Sequence, residues 1–280
     1  MEDRRALGAA RVIDWSLLPL YVTLGAVVGF LAGLLGIGGG FTIVPVLMEA
    51  FTYEGFATAH VLPLAIGTSS ATIVFTALSS ARAHHLRGAV DWSIVRALAP
   101  GLVVGSLIGP QIASVLPMRV LAFLVGVVIW TAGLRMFLHR PPLPTGKLPG
   151  KGVMFAVGAG IGMVAGMAGA AGAFLAVPFM VRCNVKVHTA VATSAAIGWP
   201  VAVAATISYV VAGLRQANLP AYSLGYVYLP ALAGVAVASV MLAPIGARVA
   251  HAWPVARLRR AFSLLLFVLG AYMLWKALRG

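Results

Sequence analysis

Glycine clusters, paired hydroxyls and two histidines are the residues of this chain whose type and spacing could do chemistry. Gly36-Ile37-Gly38-Gly39-Gly40 is followed five residues later by Pro45. Three consecutive glycines cost roughly 1 kcal/mol each relative to alanine inside a helix. They also tolerate positive φ and leave backbone amides exposed, and Pro45 cannot donate a helical hydrogen bond. The pattern predicts a helix that stops near Gly36, a short unwound stretch, and a second short helix from about Phe41. Thr68-Ser69-Ser70 and Thr193-Ser194 add hydroxyl donors. His60 and His188 could carry a proton along an anion path. No nucleophile stands with a base in a known catalytic motif, and no His or Glu spacing suits a metal. The single cysteine, Cys183, excludes an intrachain disulfide and a cysteine-based zinc site. Neither a cofactor nor a metal is expected.

These residues lie in a chain built for lipid. Of 280 residues, 61% are hydrophobic and 9% charged, where soluble domains carry roughly 25% charged residues. The net charge of +14 comes from 20 Lys and Arg against six Asp and Glu. The basic residues sit between apolar blocks, where they anchor helices to headgroups, and no polar domain exists to present a groove to nucleic acid. Eight apolar segments are long enough to cross a membrane: Leu17–Phe51, Val61–Ser80, Ile94–Leu116, Val120–Leu138, Val153–Val181, Thr189–Leu214, Leu224–Ala247 and Leu258–Leu278. None alternates as barrel strands do. The expected fold class is an all-α membrane protein.

An internal repeat organises the chain. GAVVGFLAGLLGIGGGFTIVPV at 25–46 matches GAGIGMVAGMAGAAGAFLAVPF at 158–179, an offset of 133. AIGTSSA at 65–71 matches AVATSAA at 190–196, an offset of 125, and Pro117, Gly133 and Met136 match Pro254, Gly270 and Met273 at an offset of 137. The expected organisation is a leader (1–16), a first membrane repeat (17–138), a Pro/Gly-rich linker (139–151) and a second repeat (152–280), each repeat holding four segments. Gly169, Gly172 and Pro178 occupy the second copy of the glycine motif, with Ala170 and Ala171 where the first copy has Ile37 and Gly38. The second copy should expose less backbone. Glycines spaced by four, at Gly25, Gly29 and Gly33, at Gly158, Gly162 and Gly166, and at Gly101, Gly105 and Gly109, form smooth helix faces for close packing.

Broken helices at corresponding places in two halves point to a transporter site. The acids Glu2, Asp3, Asp14, Glu49, Glu54 and Asp91 all lie near segment ends. A cation carrier usually buries a carboxylate; an anion can be held by helix N-termini and free amides. The expected solute is therefore a small anion, bound by Gly36, Gly38, Gly39, Gly40, Pro45, Thr68, Ser69, Gly169, Gly172, Pro178, Thr193 and Ser194. The expected partners are that solute and membrane lipid, without nucleic acid. A passive anion channel and, more remotely, an intramembrane enzyme are the alternatives.

The motif GFLAGLLGIGGGFTIVPVLM, with its second copy GMVAGMAGAAGAFLAVPFM, resembles the TauE/SafE family of sulfite and sulfonate permeases. The resemblance spans nearly the whole chain and implies transport of small sulfur-containing or organic anions across a cell inner membrane. Two topologies fit the charges. If all eight segments cross, both termini share the side carrying 13 of the 20 Lys and Arg, which is cytoplasmic by the positive-inside rule. If the two glycine segments are re-entrant, six segments cross, the split is again 13 to seven, and the N-terminus falls outside. The first arrangement, with broken helices and both termini inside, is the expectation.

Overall fold

The computed structural model describes residues 17–35, 40–138, 146–249 and 255–279. The first expected segment divides into α1 (Leu18–Leu35) and α2 (Gly40–Tyr53). Then follow α3 (Thr58–Leu86), α4 (Trp92–Val115) and α5 (Met118–Leu138). The fifth segment likewise divides into α6 (Lys151–Ala168) and α7 (Ala173–Arg182), followed by α8 (Val187–Leu214), α9 (Leu229–Val249) and α10 (Val255–Arg279). Between α8 and α9 lies a small antiparallel hairpin, β1 (Ser223–Leu224) and β2 (Val227–Tyr228). The expected segment from Leu224 is therefore helical only from Leu229. Gly225, at φ +54°, makes the turn, and a side chain there would collide with the Val210 carbonyl. The leader, most of the linker, and Gly36, Gly38 and Gly39 lie outside the described residues.

Among the described residues, six helices are long and apolar enough to span a membrane: α3, α4, α5, α6, α8 and the Phe262–Arg279 part of α10. The protein is thus a multi-pass α-helical membrane protein. α3 and α8 form its centre, with 83% and 61% of their most apolar windows buried, against 28–44% for the other four. The outer helices present Phe123, Leu124, Trp130, Val237 and Val268 outward. Such a surface is stable only against hydrocarbon.

Close packing follows the glycines. α1 lies on α9 and α6 on α4, while α5 pairs with α10 and α3 with α8. Gly25 and Gly29 face the backbone of Val235 and Ser239; Gly158 and Gly162 face that of Leu98 and Leu102. The second pair of contacts is the first moved along by the offsets 133 and 137 found in the sequence. A β-carbon at Gly29 would stand 2.2 Å from the Ser239 carbonyl oxygen, and one at Gly105 would stand 2.0 Å from that of Ala159. With lipid as apolar as any side chain, such close approach is what holds membrane helices together.

Gly105→Val should therefore force α4 off α6 and abolish the monodisperse, folded species in size-exclusion chromatography. Gly160→Ala, on the same α6 but with open space around a β-carbon, should leave thermal unfolding unchanged or raise it slightly. Equal behaviour of the two variants would contradict this packing.

Candidate functional site

The second glycine break is described in full. α6 ends with Gly169 at φ +64°, whose amide bonds to the Ala165 and Gly166 carbonyls. The Ala170 amide donates to Ala165 O at 3.0 Å, completing a left-handed C-terminal cap. Gly172, at φ +74°, caps the start of α7. Only these two positions need left-handed backbone, so Ala170 and Ala171 fit between them. The first amides of α7 have no acceptor within the helix, as at any helix start, and carry its positive end. Pro178 lies inside α7 and Pro45 inside α2. Neither can donate to the carbonyl four residues earlier, which belongs to Phe174 and Phe41 respectively.

Elements of both halves surround this break. Ser69 of α3 donates to the Gly169 carbonyl at 3.1 Å. Gly40, the first residue of α2, is pressed so closely to that carbonyl that a β-carbon would lie 2.3 Å away. Phe41 and Phe174, the second residues of the two short helices, meet edge to face with centroids 4.8 Å apart. Gly198 of α8 sits over Ala171, and Ser194, one turn earlier, lies on the same face.

The four predicted hydroxyls do not bond back to their own helices. Thr68 accepts from the Tyr228 amide at 3.0 Å, and Thr193 accepts from the Asp91 amide at 3.0 Å. Tyr228 and Asp91 each directly precede a helix, α9 and α4, and stand 137 residues apart. Each threonine thus holds the entry of a helix from the other half. Ser194 is buried, yet among the described residues its hydroxyl has no partner, and the same holds for Thr42 in the first turn of α2. Ser70 behaves differently and bonds back to Ile66 O. Thr42 was missed from sequence, because its counterpart at offset 133 is Leu175.

Among the described residues, the charged side chains lie near helix ends. Among the described residues, every buried polar side chain is a serine or threonine. Glu49 pairs with Lys276 at 2.5 Å and accepts from Tyr272, and Glu54 accepts from Tyr21. Asp91 caps α4 through the Ser93 and Ile94 amides. The Ser93 hydroxyl that it also accepts holds its carboxyl below the usual range. The two histidines do not meet at the break: His60 approaches the Tyr226 hydroxyl at 3.4 Å near the start of α3, and His188 is exposed at the start of α8.

These partners give opposite expectations for neighbouring residues. Thr193→Val leaves the Asp91 amide without an acceptor and should cost about 1–3 kcal/mol, read as a lowered thermal midpoint. Ser194→Ala removes a buried hydroxyl that satisfies nothing, so its midpoint should hold or rise. A large loss of stability in Ser194→Ala would show that this hydroxyl has a structural partner.

The similarity of the chain to known proteins agrees with this architecture. Residues 21–273 match the family described as Sulfite exporter TauE/SafE. A Haemophilus influenzae protein named "Probable membrane transporter protein" is 32% identical over 264 residues, covering 94% of this chain and 100% of its own length. A Methanocaldococcus jannaschii protein of the same description is 26% identical, over 92% of this chain and 96% of its own. No solved structure matches the chain. The chain therefore belongs to the TauE/SafE family of membrane transporters, whose members move solutes rather than catalyse reactions.

Proposed function

We propose that the protein is an inner-membrane permease for small anions of the sulfite and sulfonate class, held between two related halves at the tips of the broken helices. The observation that carries this reading is the inventory of buried polar groups. Among the described residues it holds hydroxyls and no carboxylate, and two of those hydroxyls, Thr42 and Ser194, have no partner there. Hydroxyls and helix-start amides can donate to an anion. A desolvated cation would need the oxygen-rich, negatively charged cage that is absent from the described core. The contact of Gly40 with the Gly169 carbonyl supports a single shared site for both glycine motifs.

The six-crossing topology suits this site better than eight crossings. Tyr21, near the start of α1, bonds to Glu54, just past the end of α2. A helix that merely kinked while crossing would leave those residues tens of ångströms apart, at about 1.5 Å per residue. Met154 near the start of α6 and Met180 near the end of α7 share one buried cluster with Ile94 and Ala190. Both observations support two helical hairpins that dip in from opposite sides, α6 forming one arm of the second although it is long enough to span, with α3, α4, α5, α8, α9 and α10 crossing. The repeats are then inverted, the arrangement common among secondary transporters. The end carrying 13 of the 20 Lys and Arg is cytoplasmic, and both termini face the other side.

Three measurements follow. In detergent, sulfite or a small sulfonate should raise the thermal midpoint, and sodium or simple amines should not; stabilisation by cations alone would refute the anion site. Uptake into proteoliposomes should saturate with solute, whereas unsaturable ion current would indicate a channel. Tags at both termini should be reached by protease from outside intact spheroplasts. Protection of both would restore the eight-crossing arrangement.

A further inference from the structure

A groove of about 450 Å³ runs along the outer face of α3 where it meets α9. Phe75, Leu78, Ser79, Arg82 and Leu86 line it from α3, and Val240 lines it from α9. Residues three and four apart share one helix face, so the α3 wall is a continuous stripe. Most of that wall is apolar and exposed, with Phe75, Leu78 and Leu86 all facing outward. Such a stripe on a membrane helix has only acyl chains for neighbours.

Arg82 breaks the apolar run and gives the groove polarity. It makes no hydrogen bond or ion pair among the described residues, and Ser79 lies one turn before it as a second donor. α3 has 29 residues, about 44 Å of helix, while the hydrocarbon core is about 30 Å thick. Its last turns therefore reach the headgroup layer, and Arg82 is four residues from its end. His84, His85 and Arg87 add further basic groups there. The acid at this end, Asp91, is occupied in capping α4.

We propose that this groove is a binding site for an anionic phospholipid, with one acyl chain along Phe75, Leu78 and Val240 and the phosphate on Arg82 and Ser79. An occupied site would bridge α3 and α9, which belong to different halves of the chain. It would therefore support the helix that carries Thr68 and Ser69. The site is separate from the anion site and stands whether or not the transported solute is a sulfonate.

The test uses the full chain in neutral detergent and native mass spectrometry of bound lipid. Phosphatidylglycerol should be retained over phosphatidylcholine by about fivefold, the preference expected of one Arg at the headgroup level. Arg82→Gln should erase that preference, and Arg82→Lys should keep most of it. Val240→Trp, which fills the groove without altering charge, should reduce retention of both lipids. Equal retention of the two lipids by the unaltered protein would overturn the proposal. So would an unchanged preference in Arg82→Gln, or full retention in Val240→Trp. Inorganic phosphate should not displace the lipid; if it does, the site recognises a soluble anion, and the lipid assignment falls.

Discussion

A backbone amide or carbonyl inside hydrocarbon has no water to bond, and leaving it unpaired costs several kcal/mol. Every feature around the glycine breaks answers that constraint. Gly169 turns left-handed so that its own amide and that of Ala170 can close the end of α6. The Gly169 carbonyl is satisfied by Ser69. Thr68 and Thr193 satisfy the amides that precede α9 and α4. Ser69 of α3 thus holds the end of α6, while Thr68 and Thr193 hold the entries of α9 and α4. Among the described residues, the buried hydroxyls left without a partner are those of Ser194, Thr42 and Ser223. A transporter needs polar groups at membrane depth that are paid for except where the substrate will bind.

Much of this was legible in the sequence because it rests on spacing. The four-residue glycine ladders predicted helix faces in close contact, and Gly25, Gly29, Gly158 and Gly162 make such contacts. The break between Ala168 and Ala173 and the start of α2 at Gly40 fell where glycine and proline placed them. The second copy keeps glycine at the two positions that turn left-handed, with Ala170 and Ala171 between them. Only Gly169 and Gly172 adopt positive φ there.

What stayed hidden depends on contacts distant in sequence. Back-bonding is the default for a buried helical hydroxyl, and nothing near Thr68 reveals that its partner is Tyr228. The return of α2 toward the start of α1 is carried by Tyr21 and Glu54, 33 residues apart. Charge could not choose between the topologies, because both place 13 Lys and Arg on one side and seven on the other. The β-hairpin before α9 was absorbed into an apolar segment, since Val227 and Tyr228 are as hydrophobic as the helix that follows.

The central claim is a place: one anion site at the facing tips of two hairpins, lined by hydroxyls. Anomalous diffraction from crystals grown with bromide locates a bound anion without reference to activity. The account predicts a bromide peak beside the α7 start at Gly172, within hydrogen-bond reach of Ser194 and lost in Ser194→Ala crystals. Bromide confined to the basic ends of the molecule, with an empty break in well-ordered crystals, would contradict it.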